Sequence, residues 1–163
     1  MPSILDMLGI AARETLHLRW FGLARIPLLY YVGVSVVELT PERMVVRIPL
    51  RRRTKNHLGS MYFGALCIGA DVAPGAYTMH LIRQQRVPIS MVFKDFQAEF
   101  LKRAEGDVHF ICDQGREIEA LVAQAAASEE RVEKQFDVLA VAPSMSGEPV
   151  ARFRLTLSLK RRL

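Results

Sequence analysis

The chain has 163 residues, of which 50% are hydrophobic and 24% charged, with a formal net charge of +5. A length of this order reads as one domain, residues 1–163, that buries about 70% of its unfolded surface and needs no disulfide or metal to hold a core. The two cysteines, Cys67 and Cys112, sit in separate apolar stretches, ALCIGA and HFICDQ. That pattern fits neither a disulfide framework nor a zinc site, so they read as reduced core residues of a cytoplasmic protein. The positive excess is concentrated in Arg51-Arg52-Arg53-Thr54-Lys55 and Lys160-Arg161-Arg162. Such clusters meet nucleic acid or the phosphates of a small molecule. Zinc-finger, aromatic ribonucleoprotein and basic-zipper patterns are missing, and no nucleic-acid partner is expected.

In chain order, Ser3-Ile4-Leu5-Asp6 fits a capping box and predicts an amphipathic helix over about residues 3–19, with Ile4, Leu8, Ala11 and Ala12 on one face. Asp6, Arg13 and Glu14 break the apolar run, so no secretory signal is expected. Residues 1–24 then form a helical extension, and 25–160 the core. Tyr30–Leu39 (YYVGVSVVEL) reads as a strand, Thr40-Pro41-Glu42 as a turn, and Met44, Val46, Ile48 and Leu50 as the inward positions of a second strand. The basic loop follows. Met61–Gln85 predicts a helix buried on nearly every side, kinked or split at Pro74-Gly75 because proline removes a backbone donor. The stretch is long enough for a bilayer, but it carries Asp71, Pro74, Gly69 and Gly75, and its flanks alternate like a soluble sheet; no membrane span is expected.

After Pro88, Val92, Phe96, Ala98 and Phe100 share one face of a long strand, opposite Asp95, Gln97 and Glu99. Glu105-Gly106-Asp107 turns into a strand bearing Val108, Phe110 and Cys112. Glu117–Ala127 is Ala-rich and reads as a small helical insert. Val132, Phe136, Val138 and Ala140 mark the next strand, and Phe153, Leu155, Leu157 and Leu159 the last. Six strands with one apolar face form an antiparallel sheet. The 61–85 helix is the element apolar enough to cover it, which gives an α+β architecture: a curved sheet wrapped around one long buried helix.

Asp71 is the one Asp, Glu, Lys or Arg between Lys55 and Arg83. A lone acid in so apolar a segment is either a structural bridge or a chemical group. The four histidines, His17, His57, His80 and His109, are dispersed without a ligand-pair spacing, and Ser60 lacks a nucleophile-elbow motif; no metal site is expected.

The order of hairpin, buried helix and antiparallel strands resembles the hotdog fold. Asn56, Gly59, Gly64 and Ala70-Asp71, with seven residues from Gly64 to Asp71, resemble the motif of phenylacetate-degradation-type (PaaI-like) acyl-CoA thioesterases. Glu99-Phe100-Leu101-Lys102 followed by Gly106-Asp107 resembles their downstream strand pair, and the helix at 117–127 suggests a less characterised branch. The family's His and first Gly stand here as Tyr62 and Phe63.

The resemblance implies a homodimer or a tetramer acting on acyl-CoA, with coenzyme A entering as part of the substrate and no separate cofactor. Asp71 of one subunit would be general base or nucleophile, and the helix start at Gly64 of the other the oxyanion hole. Asn56 would position the loop or hydrogen-bond near the acid. Tyr62 and Phe63 would line the acyl path, and Arg51 and Arg53 would hold the coenzyme A phosphates. Met61, Met91 and Phe93 would join Phe63 in setting tunnel length. The other readings are a hotdog protein that binds an acyl ligand without cleaving it, and a basic nucleic-acid-associated protein.

Overall fold

Alternating apolar residues put all six strands into one antiparallel sheet, in the order β1-β2-β4-β5-β6-β3. The computed structural model of the chain describes residues 9–162. Its elements are α1 (Ile10–Arg25), α2 (Pro27–Val32), β1 (Ser35–Leu39), β2 (Met44–Ile48), α3 (Phe63–Gln84), β3 (Ile89–Phe100), β4 (Val108–Cys112), α4 (Gly115–Ala127), β5 (Val132–Val141) and β6 (Pro149–Arg161). The sheet wraps around α3, as the apolar patterning predicts. Leu155, Leu157 and Leu159 on β6 meet Phe110 of β4 and Phe136 of β5 in the fully buried core. Each such side chain contributes roughly 1.5–3 kcal/mol by leaving water.

The close approach of α3 to the sheet depends on Gly69. A Cβ there would lie 2.2 Å from the Phe110 ring. Pro74 lies inside α3 without splitting it. Pro74 and its neighbours Val72, Ala73, Gly75 and Tyr77 are buried, and their packing holds the helix across the missing donor. α4 is not a peripheral insert. Ile118, Leu121, Val122 and Ala125 bury one face against α3, β5 and β6, so two helices share the covering layer.

Three further expectations change. The expected first helix begins at Ile10 and runs to Arg25, while the Ser3–Asp6 capping box lies outside the described residues. Its inward residues are Glu14, Leu18 and Gly22, and Ala12 is exposed. Tyr30–Val32 are helical rather than extended. Pro27 opens α2, and Gly33 ends it in the left-handed region at φ 72°, so the β-strand preference of Tyr-Tyr-Val is overridden. The phase of β3 also differs. A bulge lies between Phe93 and Asp95; before it Met91 and Phe93 pair with Leu159 and Leu157, after it Phe96, Ala98 and Phe100 pair with Leu155, Phe153 and Ala151. One extra residue shifts side-chain parity, and Val92 therefore points out while Phe93 points in.

A buried cluster ties α1 to α3. The Glu14 carboxylate pairs with Arg83, with His80 at 3.0 Å and with His17 at 3.5 Å. Burial alone would raise the pKa of Glu14; the Arg83 charge and the His80 contacts outweigh it and hold the group below its ordinary value.

Candidate active site

The chain enters α3 through a loop built on Asn56. Its side-chain oxygen accepts from the Leu58 and Ser60 amides at 2.9 and 3.2 Å, and its amide nitrogen donates to Ser60 Oγ at 3.0 Å. The Asn56 amide donates to the Ser60 carbonyl at 2.8 Å, and Lys55 bridges to Met61. Asn56 is thus spent on the loop and is a positioning residue for the helix start that follows.

Tyr62 caps α3 without a side-chain hydrogen bond. The Ala65 and Leu66 amides both donate to the Tyr62 carbonyl, at 2.9 and 3.2 Å. The Phe63 and Gly64 amides have no acceptor among the described residues, as the first turn of a helix leaves them. The Tyr62 ring lies over Gly64: a Cβ at position 64 would come within 2.6 Å of Tyr62 Cε1. Glycine therefore keeps both the backbone approachable and the tyrosine seated. Tyr62 and Phe63 are in ring contact at 4.9 Å, and Phe63 meets Phe100 edge-on at 6.0 Å. Together with Asn56, His57, Leu66 and the Phe100–Ala104 segment, they line an open cleft of about 470 Å³.

Asp71 lies two turns along α3, roughly 10 Å from Gly64 at about 1.5 Å per residue. Its carboxylate is half-buried and has no hydrogen-bond or ion-pair partner among the described residues. Burial pushes its pKa from 3.8 to about 6. The group borders a gap over Gly75, where an added Cβ would lie 3.7 Å from Asp71 Oδ1 and 3.6 Å from the Phe93 ring. Asp71 thus sits on the flank of α3 next to β3, one of the two edge strands of the sheet.

One chain brings Asn56, Tyr62 and Phe63 to a single cleft; Gly64 follows Phe63 in the helix but is not part of the lining, and neither is Asp71. Arg51 and Arg53 are elsewhere as well. Buried Thr54 accepts from the Arg51 amide at 2.9 Å and donates to the Pro49 carbonyl at 2.7 Å, a knot that leaves the arginine side chains exposed. Arg51 and Arg53 line a separate concavity of about 200 Å³ with Arg19, Tyr30 and Arg47. Asp107 is structural: it accepts from the Leu50 amide at 2.8 Å and pairs with Arg47. Phe100 stays on the apolar face of β3, opposite Ala151, and is also a cleft residue, a role its place in the Glu99-Phe100-Leu101-Lys102 run does not by itself reveal. No group of three or more His, Cys, Asp or Glu residues able to hold a metal occurs among the described residues. No helix there is long and apolar enough to cross a membrane.

This fold recurs in solved structures. A protein of unknown function from Chlorobaculum tepidum superposes with a TM-score of 0.79 at 11% identity, covering 93% of this chain and 97% of that one. A candidate thioesterase from Shewanella oneidensis gives 0.74 at 13% identity over 89% and 96% of the two chains. A thioesterase from Haemophilus influenzae gives 0.65 at 14% identity over 87% and 88%. The chain has the α+β hotdog fold, as the sequence resemblance implied. No curated protein matches it in sequence. It belongs to the family described as a domain of unknown function, DUF4442, whose model matches residues 16–159. The PaaI-like resemblance continues to rest on residues 56–71 and 99–107.

Proposed function

We propose that the chain is an acyl-CoA thioester hydrolase of the PaaI-like type, working as a dimer with two composite sites. The observation that carries this is the pairing of an unpartnered carboxylate with unpartnered amides on one helix: Asp71 at one point, Phe63 and Gly64 about 10 Å away. That separation is too large for one carbonyl. Two copies of α3 lying side by side would bring Asp71 of one subunit to the Gly64 turn of the other. β3 supports such an assembly, because its free edge is long and carries partly exposed Phe96 and Phe100 on the face that turns toward α3.

In this site Asp71 takes a proton from water as the water oxygen bonds to the thioester carbonyl carbon. The carbonyl electron pair moves to oxygen, which the Phe63 and Gly64 amides and the helix dipole stabilise. Collapse breaks the C–S bond, and the departing thiolate takes the proton back from Asp71, giving a carboxylic acid and free coenzyme A. With a pKa of about 6 the acid is mostly ionised at pH 7 and is a stronger base than an ordinary aspartate. Direct attack by Asp71 on the carbonyl would use the same residues through a transient anhydride. Tyr62 and Phe63 form the apolar wall of the cleft that the thioester would enter.

The test is release of free thiol from a panel of acyl-CoAs, with Asp71→Asn beside the parent chain. Turnover that falls about 10²–10⁴-fold in the variant supports the proposal. Tight binding of acyl-CoA without turnover by the parent identifies a non-catalytic binder. Undiminished turnover by the variant removes Asp71 from the chemistry.

A further inference from the structure

The outer face of α1 has no use in the site above. Glu14, Leu18 and Gly22 are its buried side. Leu16, Trp20 and Leu23 follow one another at helical spacing on the opposite side, and are 53%, 65% and 58% exposed. At about 100° per residue, Arg13 and Arg19 flank this ridge on either side. α2 continues the apolar exposure with Leu28, Tyr30 and Tyr31.

Glu14 is the one acid between Gly9 and Gly33, and it is buried in its pairing with Arg83. Half-buried Arg13 and exposed Arg19 and Arg25 therefore have no acidic partners among the described residues. Arg19 and Tyr30 also belong to the concavity that holds Arg51 and Arg53, so the ridge and the basic pocket are continuous. Arg53 lies over the Tyr31 ring at 5.6 Å.

We infer that this face docks on an anionic lipid surface, with Leu16, Trp20 and Leu23 entering the headgroup boundary and Arg13, Arg19, Arg51 and Arg53 meeting lipid phosphates. Three features select a bilayer over other occupants. A second copy placed symmetrically would set this basic face against itself, at a cost in like-charge repulsion. A protein partner needs about 800 Å² of complementary surface per side, whereas a single convex helix offers a ridge. Exposed Trp, Tyr and Leu between arginines is the composition of a helix lying in a membrane interface. The face is on the β1 side of the sheet, away from β3, so docking leaves the proposed dimer edge free. The inference stands whether or not the chain hydrolyses thioesters.

Trp20 is the only tryptophan in the chain, so its fluorescence reports this ridge alone. The full chain is titrated with phosphatidylcholine vesicles and with vesicles containing one-third phosphatidylglycerol, and binding is checked by co-sedimentation. The expected result is a blue shift of Trp20 on anionic vesicles, weak or no shift on neutral ones, and reversal at 0.5 M salt. Arg19→Glu/Arg53→Glu should weaken partitioning at least tenfold, and Leu16→Ser/Leu23→Ser likewise, with unchanged circular dichroism because these side chains are exposed. Sedimentation with vesicles while Trp20 stays unshifted would place the contact elsewhere, for instance on the Lys160–Arg162 tail, and overturn the inference. So would a blue shift that grows with protein concentration in the absence of vesicles, which identifies a second copy as the occupant. Vesicle binding untouched by the arginine reversals, with a raised KM for soluble acyl-CoA, would assign those arginines to substrate and overturn it too.

Discussion

The two edges of the sheet are built differently. β1 is five residues long, is interrupted by a bulge between Val36 and Glu38, and has α1 packed on it; the Val36 amide donates to Thr15 Oγ1 at 2.8 Å. β3 is twelve residues long, and Val92, Phe96 and Phe100 on it are exposed. Both edges carry a bulge, so the contrast lies in length and cover: short, covered edges resist pairing with another chain, and long uncovered ones invite it. The contrast locates the proposed dimer contact at β3, beside the helix flank that carries Asp71.

Charge placed at the two edges tests that contrast with the largest expected effect. Phe96→Arg, on the face of β3 that turns toward α3, should convert dimer to monomer in sedimentation analysis and cut turnover by about 10³-fold, because each site loses half its groups. Val37→Arg on β1 should leave both unchanged. Equal behaviour of the two variants would remove the distinction between the edges.

Asp71 sharpens the comparison from the energetic side. Its folded pKa is raised, from 3.8 to about 6, so the native state holds the proton more tightly than the unfolded chain does. The resulting stabilisation is complete below the ordinary value and is lost as pH rises through about 6. At pH 7 the buried charge costs up to about 3 kcal/mol, at roughly 1.4 kcal/mol per pKa unit. Asp71→Asn should therefore raise the melting temperature at pH 7 and do little at pH 4, while turnover of the parent chain falls below an apparent pKa near 6. An acid retained at such a cost is the expected signature of a functional group. A variant less stable at pH 7 than the parent would mean that Asp71 has a structural partner.

The smallest effect is expected at Asn56. Asn56→Ala removes the side-chain contacts that organise residues 56–60, each worth about 1 kcal/mol net. Thermal unfolding should show a loss of about 1–2 kcal/mol, with kcat reduced through the displaced helix start and the pH profile unmoved. A shifted profile would instead connect Asn56 directly to the acid.

The fold was legible where one face of an element stays buried along its whole length. Phe153, Leu155, Leu157 and Leu159 keep strict alternation because β6 lies between two neighbours, and α3 is apolar all round because sheet and α4 enclose it. Legibility failed where one residue resets the geometry. Gly33 turns a β-favouring Tyr-Tyr-Val into the end of a helix, and the bulge before Asp95 exchanges Val92 and Phe93 between faces. The site divides in the same way. The spacing of Gly64 and Asp71 was readable because it lies within one helix. The separation of Arg51 and Arg53 from the Tyr62–Phe63 cleft was not, since it depends on how buried Thr54 folds the loop between them. That Asp71 has no partner among the described residues became visible only with the surrounding side chains in place.

The central claim is that an acid of one subunit works with amides of the other. Chains carrying Asp71→Asn and chains carrying Gly64→Val, each inactive alone, can be unfolded together, refolded as a mixture and assayed. A two-fold dimer with shared sites predicts recovery to about a quarter of parental activity, because half the dimers are mixed and each regains one intact site. A mixture as inactive as its components would mean that the two groups do not act across subunits, and would contradict the account.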